Sequence, residues 1–352
     1  MTNGGSARGG AADAAERGSG RSAGLSIVIP LFNEAGGLAV LHARVSEVAR
    51  RLHEHRALKT EIVYVDDGSH DATLKIAEAL PATGVDVQVV SLSRNFGKEA
   101  ALLAGLDHAR LGAVLFMDGD GQHPAELVET LVGHWLDDGY DAVYTAKAHR
   151  ENESALRRFG VKTFYLLLNW GSRQRIPEDA GDFRLLSPRA AAALRQLPER
   201  NRFFKGLASW IGFRQLRVDY EPAAREHGTS TWRLTSLIAL SIEGLTSFSV
   251  APLRLASLLG VALAATALVF GASILVETLV NNERVPGYPS VIVGLMVLGG
   301  VQLVMIGIVG EYIGKILAEL KQRPVYFVAE HIVKTSEATD RAADAAARTA
   351  AE

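Results

Sequence analysis

Asp118 and Asp120 stand one residue apart at the end of the run Val114-Leu-Phe-Met, with Gly121, Gln122, His123 and Pro124 behind them. Two carboxylates and the Gln122 carboxamide are hard oxygen donors of the kind that suits Mg²⁺ or Mn²⁺. The apolar run is short and stops at glycines and a proline, which reads as a buried strand ending in a turn. The aspartates then lie at the carboxyl end of that strand, the rim at which open α/β sheets bind ligands. An EF-hand loop with Glu129 in twelfth place is a poor reading. Its sixth place holds His123 instead of Gly, Pro124 interrupts it, and a strand precedes it where a helix should.

Two further polar clusters close apolar runs. Pro30-Leu-Phe32-Asn33-Glu34 reads either as a polar helix cap or as a turn that contacts a nucleotide. In Val65-Asp66-Asp67-Gly68-Ser69 the adjacent carboxylates repel one another in an enclosed crevice, so one of them has a task. That task is either to cap the next helix or to accept from a base edge or a ribose hydroxyl. Basic residues follow at Arg94 and Lys98, at Lys147, Arg150, Arg157, Arg158 and Lys162, and at Arg184, Arg202, Lys205 and Arg225. Arginine is well suited to bidentate contact with phosphate. No G-x-G-x-x-G follows a strand, and neither a P-loop nor a G-x-S-x-G elbow occurs, which argues against nicotinamide, P-loop and serine-hydrolase chemistry.

The elements that must position these groups alternate. Strands are expected at Leu25–Pro30, Glu61–Val65, Val85–Leu92 and Ala113–Met117. Helices are expected between them at Gly36–His55, Asp71–Leu80 (Asp71 its N-cap) and Gly97–Ala109, and then at Pro124–Leu136. This is the pattern of a mainly parallel sheet with helices on both faces. Right-handed crossovers bring the polar ends of strands one, two and four to one edge, so Asn33–Glu34, Asp66–Asp67 and Asp118–Asp120 converge. Past a strand at Asp141–Lys147 the alternation weakens. A helix at Ser154–Trp170, a strand at Gly181–Leu186, a helix at Pro188–Leu197, a strand at Arg214–Tyr220 and a polar loop at Arg225–Trp232 complete an α/β domain over residues 25–233.

Composition sets the remaining bounds. The 352 residues carry a net charge of −2, which implies no nucleic-acid partner, and the absence of cysteine excludes disulfides, zinc–thiolate sites and thiol nucleophiles. Residues 1–24 are rich in Gly, Ala, Ser and Arg without an apolar core, and read as a disordered tail. Residues 234–250 hold one charge, Glu243, in an otherwise apolar stretch suited to an amphipathic helix in the membrane interface. Leu255–Val276 has no charge, and Pro289–Gly310 has Gln302 as its one strongly polar side chain. Both exceed the roughly 18–20 residues that cross a hydrocarbon core about 30 Å thick. Two transmembrane helices are therefore expected, at about 252–276 and 289–312. Arg254, Lys315, Lys321 and Arg323 flank them, which puts both ends and the main domain in the cytoplasm. Residues 315–352 are left as a cytoplasmic segment and tail. Gly310 and Gly314 have the spacing that packs helices or subunits closely, so a homo-oligomer is one possible outcome.

The motifs VIPLFNE (28–34), VDDGSHDAT (65–73), SRNFGKEAA (93–101) and MDGDGQHP (117–124) resemble family 2 glycosyltransferases of the GT-A fold. GDFRLL (181–186), NRFFKGLASWIGF (201–213) and SFSVAPLR (247–254) narrow the resemblance to the polyprenyl-phosphate glycosyltransferases, relatives of dolichol-phosphate mannose synthase and of the bactoprenol glucosyltransferases. The resemblance implies that Pro30, Phe32, Glu34, Val65 and Asp67 hold the nucleotide of a sugar donor. It implies that Asp118, Gly119, Asp120 and Gln122 meet its diphosphate, with Asp118, Asp120 and Gln122 on a Mg²⁺ or Mn²⁺ ion, and that Lys147 meets the donor phosphates. Arg158, Arg184 and Arg225 are the counterparts for an acceptor phosphate. The family loop R-x-x-G-x-S-K reads Arg225-Glu-His-Gly-Thr-Ser-Thr231 here, so its lysine is missing. The activity implied is inverting transfer of a sugar, with UDP-glucose favoured as donor, to polyprenyl phosphate in a bacterial inner membrane. Two other readings stay open: transfer to a hydroxyl of a lipid-linked saccharide, with Asp182 as candidate base, and a membrane scaffold that binds nucleotide without turnover.

Overall fold

Strand β1 (Ser22–Leu31) alternates its side chains between two apolar faces. Leu25, Ile27, Ile29 and Leu31 enter one buried cluster, while Val28 turns the other way against Gly105. Strands β2 (Thr60–Asp66), β3 (Asp86–Leu92) and β4 (Leu111–Phe116) are buried along their whole length. Burial on both faces is the signature of parallel strands covered by helices. The structure is a computed structural model that describes residues 21–147, 181–199, 204–221, 251–281 and 287–336.

Helix α1 (Leu38–Arg56) packs Leu38, Leu41, Val45, Val48 and Leu52 into the first cluster, joined there by Val128, Leu131 and Val132 of α4 (Leu127–Leu136). Helix α2 (Thr73–Ala79) contacts β2 and β3. The other face is covered by α3 (Lys98–His108), against β1 and β2, and by Phe204 of α6 (Phe204–Trp210), whose ring meets Phe116 edge-on at 4.6 Å. Between them in sequence come β5 (Ala142–Lys147), β6 (Arg184–Leu186) and α5 (Pro188–Arg195), which Ser187 caps by accepting from the Ala190 amide. Strand β7 (Gln215–Tyr220) follows α6.

Among the described residues the sheet has eight strands in the order β7-β5-β6-β4-β1-β2-β3-β8, the last being Val328–Lys334. Strands β3, β2, β1 and β4 are mutually parallel, β6 runs antiparallel to β4 and β5, and β7 runs parallel to β5. One edge therefore collects the carboxyl ends of β1–β5 and β7 together with the amino end of β6. At the opposite edge the fully buried Glu61 is satisfied by Ser26, Gln88 and Arg110, so its charge is structural.

Three boundaries differ from the sequence reading. Strand β1 begins at Ser22, inside the expected tail, because pairing of Ser22 with Leu111 needs backbone only. Helix α2 starts at Thr73: Asp71 accepts from the Thr73 amide and from Ala35, bracing the turn before the helix without being its N-cap. The third is a strand that was not expected. Val328–Lys334 forms β8, antiparallel to β3, in what read as a tail segment. His331 meets Gln88 at 2.8 Å, Tyr326 donates to Asp107, and Lys334 donates to the carbonyls of Glu78 and Leu80 at the carboxyl end of α2. The segments expected as a helix at Ser154–Trp170, as a loop at Arg225–Trp232 and as an interfacial helix at 234–250 lie outside the described residues.

The chain divides into two compact units, one built on the sheet and one holding two long helices. In the second unit α7 (Ala251–Asn281) has 31 residues and α8 (Tyr288–Leu320) has 33. Each contains a stretch long and apolar enough to cross a membrane, Pro252–Ile274 and Gly294–Leu320. Large apolar side chains stand exposed along both, Leu268 at 76% and Val304 at 65% among them.

Candidate active site

The rim is drawn together by backbone approach. Met117 N donates to Val28 O, and Asp67 N donates to Leu31 O, tying the ends of β4 and β2 to β1. Asn33, in the left-handed region at φ 58°, donates its amide to Ser69 and accepts from His70 N, while Glu34 N donates to Thr73. Gly119 is required by the same crowding: a Cβ there would lie 2.9 Å from Pro30 O and 2.8 Å from Leu31 Cδ2. Gly68, at φ 68°, lets the β2 turn pass Arg94, whose carbonyl carbon lies 2.6 Å from where a Cβ would stand.

Asp118 is the centre of an ionic and hydrogen-bonded network. Lys98, the first residue of α3, places Nζ 2.5 Å from Asp118 Oδ1 and 2.7 Å from Asp182 Oδ2, bridging the two carboxylates. Lys205 approaches Asp182 Oδ1 at 3.4 Å. On its other side Asp118 Oδ2 lies 3.4 Å from His123 Nε2, and His123 Nδ1 lies 2.9 Å from the Tyr220 hydroxyl. Both contacts are satisfied when Tyr220 donates to Nδ1 and the Nε2–H of His123 donates to Asp118. Burial opposes ionisation of Asp118, but the His123 ring and the Lys98 ammonium outweigh it and hold its carboxyl well below the usual range. Burial likewise opposes ionisation of Asp182, and Lys205 with Lys98 reverses the balance in the same direction. The Tyr220 hydroxyl is pushed up to about 12 by burial and by Asp118 and Asp120.

Asp120, one residue on, makes no ion pair among the described residues; its Oδ1 accepts from Gln122 N at 3.0 Å. A small crevice lined by Glu34, Gly37, Arg44, Asp120, Gly121 and His123 joins the VIPLFNE and MDGDGQHP motifs. A larger cavity of about 410 Å³, lined by Arg51, His55, Arg56, Glu129 and Asp137, contains none of the motif residues and stands apart from this chemistry.

The other candidate residues sort by exposure. Pro30 is the penultimate residue of β1, and Phe32, just past the strand, is 42% exposed, its ring open for stacking. The Val65 side chain is fully buried, so only its backbone can meet a ligand. Asp67 is buried and spends both oxygens on the amides of Phe96 and Gly97, at 2.7 and 2.9 Å, where it holds the turn that carries Lys98. Burial raises its carboxyl despite those two bonds. Arg184 pairs in register with Phe116 and Tyr144, is 4% exposed, and donates to Gly181 O. Buried there, it braces the Gly181-Asp182 turn, and its contact with an acceptor phosphate stays a proposal. Lys147 is the last residue of β5, opposite Tyr220. Arg158 and Arg225 lie outside the described residues.

Sequence reading missed His123 as a partner of Asp118, and it missed Glu99 and Tyr220 altogether. Glu99 accepts from the Phe204 amide, and burial and then Asp182 push its carboxyl up to about 7. The signals were weak: His123 sits inside the MDGDGQHP motif, while Tyr220 is nearly a hundred residues away in sequence.

The oxygens at the rim fit a divalent ion of the Mg²⁺ class. Such an ion takes one or two carboxylates from the protein and completes its shell with substrate phosphates and water. Asp118, Asp120 and Gln122 in one turn would supply that partial set, and among the described residues no group of three or more His, Asp or Glu could hold a metal alone.

Residues 26–195 match glycosyl transferase family 2, and residues 251–316 match the GtrB C-terminal hairpin. An uncharacterized glycosyltransferase of Synechocystis sp. is 40% identical over 87% of this chain and 95% of its own. The SfII prophage-derived bactoprenol glucosyl transferase of Shigella flexneri is 41% identical over 86% of this chain and 97% of its own. Among solved structures, glucosyl-3-phosphoglycerate synthase from Mycobacterium tuberculosis in complex with UDP covers 70% of this chain and 85% of that chain at 19% identity and a TM-score of 0.41.

Proposed function

The chain belongs to glycosyl transferase family 2, with a GT-A-like mostly parallel α/β domain, and on that premise we propose that it transfers a sugar from a nucleotide-sugar donor to polyprenyl phosphate. The donor proposed is UDP-glucose, the transfer inverts the anomeric carbon, and the reaction takes place at the cytoplasmic face of a bacterial inner membrane. The observation that carries the reading is the rim itself: Glu34, Asp118 and Asp120 meet on one sheet edge, in a chain that also holds two helices fit to cross a membrane. The names of the bactoprenol glucosyl transferase relatives support the lipid acceptor.

The acceptor chemistry removes the need for a strong base. A phosphate monoester has a second pKa of about 6 and is largely dianionic at neutral pH. Burial pushes Asp182 up, but Lys205 and Lys98 outweigh it and hold the carboxyl low, which makes it a weak base; this disfavours a hydroxyl acceptor. The protein's task is then to hold two anions in line that would otherwise repel. Phe32 offers a face to the base, and Asp118, Asp120 and Gln122 would hold the divalent ion. That ion, when bound, neutralises charge on the leaving diphosphate. The His123–Tyr220 pair fixes the orientation of Asp118.

Asp120→Ala tests the reading. With UDP-glucose, undecaprenyl phosphate and saturating Mg²⁺, turnover should fall by at least about a hundredfold, the scale of losing one preorganised electrostatic contact. Near-wild-type release of UDP would sink the assignment.

A further inference from the structure

Lys98 occupies the place on Asp118 that a divalent ion would need. Its Nζ is 2.5 Å from Oδ1 and is shared with Asp182 at 2.7 Å. An ammonium and a divalent ion on the same carboxylate oxygen repel strongly where water is partly excluded. Each anion that Lys98 serves has a second partner: Asp182 keeps Lys205, and Asp118 keeps His123. Lys98 is therefore exchangeable, and its partly exposed side chain, 43% accessible, has room to move. Its backbone is held by the neighbouring amides of Phe96 and Gly97 on Asp67, so any exchange is a side-chain movement.

We propose that Lys98 is an internal counter-ion that keeps the Asp118–Asp120 clamp closed to free divalent cations, so that the metal enters together with the nucleotide diphosphate. The arriving diphosphate brings negative charge that takes over Lys98 as the metal takes over Asp118. Lys98 is in this sense a positioning residue that sets the order of binding. The proposal rests on the reading that Asp118 and Asp120 hold a divalent ion.

Binding of Mn²⁺ to the purified full-length chain in detergent, followed by electron paramagnetic resonance with and without UDP, tests it. Wild type should bind Mn²⁺ weakly alone, and UDP should tighten binding by about tenfold or more, the scale of one like-charge contact removed. Lys98→Met, and Lys98→Gln should the first fold poorly, should bind Mn²⁺ without UDP about tenfold tighter than wild type, while Lys98→Arg keeps the wild-type pattern. Equal Mn²⁺ affinity of wild type and both neutral variants in the absence of UDP overturns the counter-ion proposal while leaving the metal site standing. If Asp120→Ala binds Mn²⁺ with UDP as well as wild type does, the metal reading fails and the proposal falls with it.

Discussion

At the residue scale the site is a balance of charges under partial burial. Asp118, Asp182 and Glu99 are three carboxyls within one network, and Lys98 and Lys205 are the cations that serve them. Two of the acids are held low and the third is raised to about 7, because Glu99 is buried and faces Asp182, which outweighs the one backbone amide it receives from Phe204. A carboxyl raised in the folded state adds stability that is complete below its unfolded pKa, near 4.5, and is lost as pH rises through about 7. Glu99→Gln removes that titration and keeps an acceptor for Phe204 N. The variant should gain on wild type by about 1–3 kcal/mol between pH 5 and pH 8, read as a shift in melting temperature of a few degrees. An equal difference between the two proteins at both pH values would show that Glu99 does not titrate in this range.

At the element scale, turns do more than strands to shape the site. The DGD turn passes so close to β1 that Gly119 has no room for a methyl group. Gly119→Ala should displace Asp118 and Asp120 from the rim. The cost in stability should be about 1–3 kcal/mol, typical of overpacking, with a loss of UDP affinity measurable by titration calorimetry. Unchanged UDP affinity would mean that the turn adapts without moving its carboxylates. The two motifs on β1 and β2 were legible in sequence because glycines and acids follow apolar runs. The use Asp67 makes of its oxygens was not legible, since its partners are backbone amides of the β3–α3 turn, about thirty residues on.

At the scale of the whole molecule, β8 returns to the sheet after the two long helices in sequence. It covers the edge of β3, Phe327 O accepts from Ser93 N, and the Phe327 and Phe96 rings meet beside the turn that carries Lys98. A chain that stops at residue 250 loses this strand along with the helices and bares a paired edge, which invites association. A chain in which 251–322 is replaced by a Gly/Ser linker keeps it. The second should melt higher and aggregate less; equal melting of the two would remove β8 from any part in stabilising the domain.

The sequence by itself determined the α/β pattern, the convergence of three acidic motifs and the two long apolar helices. Each of these is written in local periodicity, in glycine and proline punctuation, or in uninterrupted apolar length, which neighbours in the chain suffice to express. Tertiary structure alone decided which charges pair. Lys98 finds Asp118 and Asp182, Tyr220 reaches His123, Arg184 is buried, and β8 docks on β3. These contacts join residues distant along the chain, and their energies depend on burial and geometry that no local pattern encodes.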